Sequence, residues 1–127
     1  MDNLQIPPNY QTVMPYLILE NAEDFFVFTQ SVFGAAEQMR SLDDNGRLMH
    51  CEVNIGGSTI MFANTTDVFS VQTAGLYINV ANADETYNKA LQAGATSIME
   101  PSNQSYGRSG GIKDAFGNTW WLVSALN

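Results

Sequence analysis

The chain carries the same short pattern twice. Residues Leu19-Glu20-Asn21-Ala22-Glu23-Asp24 return as Val80-Ala81-Asn82-Ala83-Asp84-Glu85, 61 positions later, and Gly57-Ser58-Thr59-Ile60-Met61-Phe62 returns as Gly117-Asn118-Thr119-Trp120-Trp121-Leu122, 60 positions later. Two independent matches at nearly one spacing define a repeated module. Each copy reads as a strand, a helix and three further strands, which makes the chain α+β. Two such βαβββ modules are expected to form a curved mixed sheet around a cavity, and that cavity is where function is sought.

The whole chain, 1–127, reads as one domain, with module one at about 13–64, a connector at 65–74 and module two at about 75–124. Residues 1–12 hold two prolines and no period, so they form an extended arm that packs or frays. Met14 to Leu19 is an apolar strand. Asn21 can cap the helix that follows, Glu23 and Asp24 suit its positive end, and Gly34 stops it. Asp43-Asp44-Asn45-Gly46 has the composition of a hairpin turn. In module two the helix spans about Ala83 to Ala93, Thr96 to Pro101 is a strand, and Asn103 to Gly111 reads as a flexible polar loop before or within the following strand. Asp114-Ala115-Phe116-Gly117-Asn118 is a tight turn in which Asp114 and Asn118 bond local backbone.

Composition narrows the function classes. With 13 acidic and 5 basic residues the net charge is -8, and the basic residues are scattered, so neither nucleic acid nor an anionic membrane surface is an expected partner. No apolar run reaches the length of a bilayer span, and the N-terminal residues lack the pattern of a secretory signal, so a cytoplasmic location is expected. The single cysteine, Cys51, agrees with a reducing compartment, and its alternating strand context predicts burial.

The repeat and the ending Asp114-Ala115-Phe116-Gly117-Asn118-Thr119-Trp120-Trp121 resemble the vicinal oxygen chelate superfamily, which includes glyoxalase I, bleomycin-resistance proteins and extradiol dioxygenases. Glu20 to Phe26, Val32-Phe33-Gly34-Ala35 and Met49 to Phe62 look most like its PhnB-like branch. Metal-dependent members resembling this chain take two ligands, usually His or Glu, from the first and last strands of each module. On this sequence those positions fall on Met14 and Met61, then on Gly75 or Leu76 and Trp121, none of them a donor for a hard divalent cation. The chain has one histidine, so a two-histidine centre within a protomer is excluded. No metal and no cofactor are expected, although a carboxylate-rich site using Glu52, Glu100 or Asp114 stays open. The resemblance also implies a homodimer.

The candidate residues follow from strand faces and chemistry. His50 is the candidate general base, since histidine is the side chain that changes charge nearest neutral pH. Trp121 is a candidate aromatic wall in place of a metal carboxylate. Met14, Tyr16 and Met61 lie on strand faces that would line a thioether and phenol cavity, and Tyr77 is a comparable candidate from module two. Glu100, Tyr106 and Arg108 flank the polar loop, where Arg108 could hold an anionic group. The leading expectation is a protein that binds a small organic molecule in an aromatic and methionine-lined cavity without metal. The alternatives are a metal-independent lyase or isomerase with His50 as base, and an interaction protein whose cavity is filled.

Overall fold

A computed structural model describes residues 3–126. Ten elements follow one another: β1 (Tyr16–Leu19), α1 (Ala22–Phe33), β2 (Ala36–Leu42), β3 (Leu48–Ile55), β4 (Ser58–Asn64), β5 (Gly75–Asn79), α2 (Ala83–Gln92), β6 (Thr96–Gln104), β7 (Gly107–Lys113) and β8 (Thr119–Ser124). The order is βαβββ twice, as the repeat predicts. Each module makes its own four-stranded sheet, β1-β4-β3-β2 and β5-β8-β7-β6, with the first strand parallel to the last. The eight strands therefore form two separate sheets, not one continuous curved sheet.

The repeat is visible in the hydrogen bonds as well as the strands. Asn21 and Asn82 cap the two helices by accepting from the amides of Asp24 and Glu85. The first helical amide of each module is satisfied by the end of its own last strand: Ala22 N–H donates to Asn64 Oδ1 at 2.8 Å, and Ala83 N–H to Ser124 Oγ at 3.0 Å. These bonds tie helix to sheet at the same point in both copies. Gly34, at φ 67°, ends α1 in the left-handed region that a side chain resists.

Alternation along the strands decides which residues are buried. Leu17, Leu19, Val53, Ile60 and Phe62 of the first sheet join Phe25, Phe28 and Val32 of α1, together with Ile112, Trp120 and Leu122 of the second sheet, in one core. Aromatic contacts cross between modules, with Phe33 4.5 Å from Trp120 and Phe25 5.5 Å from Phe116 between ring centroids. Phe25 is fully buried, so its truncation to alanine would cost about 3–5 kcal/mol. One core thus draws together the helix-facing sides of both sheets. Their other faces are turned away from it.

Two local readings are corrected. The segment expected as a polar loop, Asn103 to Gly111, is mostly strand: β6 runs to Gln104, β7 starts at Gly107, and two residues turn between them. Gly110 and Gly111 belong to the ladder, where Pro101 crowds the first and the Trp121 ring leaves no room for a side chain at the second. The first strand starts at Tyr16 and not at Met14, the carbonyl of Pro15 accepting from Met61 N–H just before it. No helix among the described residues is long and apolar enough to cross a membrane.

Candidate functional site

The outward face of each sheet carries a row of residues that are paired from strand to strand. In module one the row is Tyr16, Met61, Glu52 and Met39, and in module two it is Tyr77, Trp121, Gly111 and Met99. The rows are the repeat seen again, with tyrosine at one end and methionine at the other. What differs is the middle. Module one places a carboxylate there and module two a glycine under an indole.

In module two the glycine makes room for the tryptophan. A Cβ at position 111 would sit 2.6 Å from Cζ3 of Trp121, far inside contact distance, so only glycine lets the ring lie over β7. Trp121 is 37% exposed and Tyr77 58% exposed, while neighbouring Trp120 is 1% exposed. The two tryptophans therefore divide as strand alternation requires. One is core and the other a surface aromatic beside an exposed phenol.

In module one the carboxylate is the centre of a polar network. Glu52 is 2% exposed. It accepts from the hydroxyl of Tyr10 at 2.5 Å and from Gln38 Nε2 at 3.3 Å, and it bonds His50 Nε2 at 2.8 Å. On the far side of the imidazole, Nδ1 lies 3.0 Å from the hydroxyl of Tyr16. Burial alone would raise the Glu52 pKa, but the hydrogen bonds from Tyr10, His50 and Gln38 outweigh it and hold the carboxyl below its ordinary value. Glu52 is accordingly an ionised acceptor, so Nε2–H of His50 donates to it, and in the neutral imidazole Nδ1 is left to accept from the Tyr16 hydroxyl. A line of hydrogen bonds runs from Tyr10 through Glu52 and His50 to Tyr16.

The N-terminal arm is held by this face. Gln11 pairs its carboxamide with the backbone of Thr59, donating to its carbonyl at 2.9 Å and accepting from its N–H at 3.3 Å, while the Thr59 hydroxyl donates to the carbonyl of Asn9. Sequence reading missed Tyr10, Gln11, Gln38 and the role of Glu52. The signal was an alternating His50-Cys51-Glu52, which places the imidazole and the carboxylate on one face. The arm itself has no period that could reveal its partner.

The other sequence candidates separate. Met61 is half-buried in the row with Tyr16 and Glu52, and Met14 lies half-buried just ahead of β1. Arg108 gives its fork to Asp84, at 2.9 and 3.0 Å, and reaches Asn103 at 3.2 Å. That pairing raises the Arg108 pKa and lowers that of Asp84, and it joins β7 to the start of α2 on the side opposite Trp121. Tyr106 is 61% exposed in the β6–β7 turn, and Glu100 is exposed on β6. Tyr77 also borders a cleft of about 350 Å³ at the seam of the modules, lined by Gln11, Pro15, Ser58, Leu76, Asn79 and Trp120 among others. Asp114 is a turn former, its carboxylate accepting from Phe116 N–H, Asn118 N–H, Asn118 Nδ2 and Trp120 Nε1.

The positions that hold the metal in metal-dependent members carry no hard-cation donor in this chain. The family-like positions hold Met14, Met61, Gly75 or Leu76, and Trp121, and His50 and Glu52 are already bonded to one another. Among the described residues no group of three or more His, Cys, Asp or Glu side chains is clustered so as to hold an ion.

Two βαβββ modules, each with its own four-stranded sheet, define a glyoxalase-type α+β fold. The sequence profile described as Glyoxalase/Bleomycin resistance protein/Dioxygenase superfamily matches residues 20–122, and the chain belongs to that superfamily. It is 28% identical over 120 residues to an uncharacterized protein of Mycobacterium tuberculosis H37Rv, Rv0887c, covering 85% of this chain and 71% of that one. Similar folds include protein PA1353 from Pseudomonas aeruginosa, with a TM-score of 0.77 at 17% identity over 92% of this chain and 99% of that one. The PhnB protein from Bacillus cereus gives 0.74 at 21% over 91% and 100%, respectively. TioX from Micromonospora sp. ML1 gives 0.74 at 20% over 91% and 99%.

Proposed function

We propose that this protein binds a small, flat, neutral organic molecule without a metal ion, in a site completed by a second copy of the chain. The observation that carries the reading is the exposed Tyr77–Trp121 face, made possible by Gly111. Solvent-exposed aromatic surface of this kind is stabilised by a flat apolar partner. In a homodimer the polar face of one module one would close over the aromatic face of the partner's module two. The ligand would be neutral, because the polar face brings a buried, ionised carboxylate, and among the described residues Arg40 and Arg108 are already engaged by Glu37 and Asp84. The location that fits such a protein is the cytoplasm.

The test combines three measurements on protein purified without chelator. Elemental analysis should find no stoichiometric metal, and Zn2+, Ni2+, Mn2+ or Fe2+ should leave the melting temperature unchanged. Titration with neutral aromatic compounds should quench tryptophan fluorescence in the wild type and not in Trp121→Ala. Stoichiometric metal would overturn the metal-free reading.

A second reading, metal-independent lyase or isomerase chemistry around His50, is favoured by the hydrogen bonds that hold its imidazole between Glu52 and Tyr16. A carboxylate behind an imidazole orients the ring and stabilises its charged form.

A further inference from the structure

We infer that Tyr16 is the catalytic residue that exchanges a proton with substrate, that His50 and Glu52 are its relay, and that the substrate is a neutral carbonyl compound with an acidic C–H. The inference rests on the acid–base reading above and assigns its reacting atom. Both ring nitrogens of His50 are occupied, Nε2 by Glu52 at 2.8 Å and Nδ1 by Tyr16 at 3.0 Å. The imidazole therefore has no free lone pair to offer a ligand. Tyr16 is 46% exposed, and its hydroxyl is the end of the line that reaches the open face.

The step balances without any co-reactant. The substrate C–H proton passes to Tyr16 Oη as the Tyr16 proton passes to His50 Nδ1, and the C–H electron pair becomes the enolate. The imidazolium so formed is stabilised by the Glu52 carboxylate, whose charge is maintained by the Tyr10 and Gln38 hydrogen bonds. Returning the proton through Tyr16 to a different carbon completes an isomerisation. Returning it to the same carbon gives exchange with solvent. A carboxylate or phosphate on the substrate would be repelled by the ionised Glu52 carboxylate, which is why the class is neutral. Module two shows the contrast: Tyr77 holds the equivalent position, but Gly111 replaces the carboxylate in its row, so this second phenol has no comparable relay.

The experiment reads the relay and the chemistry separately. The single histidine gives one set of imidazole resonances in 15N-labelled protein, so its tautomer can be assigned directly. The wild type should show the Nε2–H tautomer, and Tyr16→Phe should shift the Nδ1 resonance while the backbone spectrum stays folded. Phenylacetone in D2O serves as the chemical probe, its benzylic hydrogens followed by proton NMR. Wild-type protein should accelerate exchange over buffer, Tyr16→Phe should lower that rate by about 100-fold, and Glu52→Gln by about 10-fold. Phenylacetone affinity, read from Trp121 fluorescence, should change by less than about 3-fold in Tyr16→Phe. If Tyr16→Phe exchanges at the wild-type rate while His50→Gln does not, the assignment to Tyr16 fails and His50 acts directly. If the wild type leaves exchange at the buffer rate, the acid–base reading fails and this inference with it.

Discussion

Nε2 of His50 and Oε2 of Glu52 lie 2.8 Å apart, two residues along one strand face, with the carboxylate 2% exposed beneath the ring. A buried carboxylate carrying three hydrogen bonds links stability to protonation. Burial raises the Glu52 pKa, the bonds from Tyr10, His50 and Gln38 lower it, and the net direction is down. Its contribution to stability is therefore full above the ordinary glutamate pKa and is lost as pH falls through the lower folded value. Glu52→Gln is expected to destabilise the fold by about 1–3 kcal/mol at neutral pH and to flatten the acid limb of the stability curve. Urea unfolding at several pH values checks both. An acid limb equal to the wild type's would assign the pH dependence to other carboxylates.

Gly111→Ala sets a methyl group against the Trp121 ring at 2.6 Å. The indole must leave its place over β7, so the variant should lose about 1–3 kcal/mol and shift its tryptophan emission. Denaturant titration followed by fluorescence measures the two together. Unchanged emission would mean that the indole does not rest on this glycine.

Cys51 is fully buried in the core, and burial pushes its thiol up to about 11. A protonated, covered thiol is a poor nucleophile. Labelling by a disulfide reagent at pH 8 should be slow in the native protein and become fast only at denaturant concentrations that unfold it. Rapid native-state labelling would show that β3 opens locally.

Asp114 accepts four hydrogen bonds in a turn where it is 4% exposed. Replacing it with alanine leaves buried donors unmatched, including the indole N–H of Trp120. The expected loss is about 3 kcal/mol or more, and thermal melting should drop accordingly. A loss below about 1 kcal/mol would show that water or backbone rearrangement satisfies those donors.

Association is tested on the aromatic face. Trp121→Glu places a charge among exposed aromatics without entering the core, since Trp120 alone fills that role. Size-exclusion chromatography with light scattering should give a dimer for the wild type and a monomer for this variant. A wild type that remains monomeric at all concentrations would rule out the shared site.

Much of the architecture was legible because it is periodic. The repeated Asn-Ala-acid helix starts at Asn21 and Asn82, and the Gly57 and Gly117 turns, mark the modules without any partner needing to be known. Strand alternation also separates Trp120 from Trp121, and it puts His50 with Glu52. The two-residue turn at Ser105-Tyr106 was hidden because glycine and serine in β7 look like loop, whereas Gly110 and Gly111 sit in the ladder packed closely against Pro101 and Trp121. Tyr10 was out of reach for a different reason: its bond to Glu52 spans 42 residues, and no local pattern encodes such a pairing.

Residue order by itself determined the βαβββ repeat, the helix caps and the buried faces, since each depends on neighbours a few positions away. Tertiary structure decided that the strands divide into two sheets around one core, that Arg108 is bound to Asp84, and that the arm reaches Glu52. These outcomes depend on which distant surfaces bury one another, and distance along the chain carries no record of that.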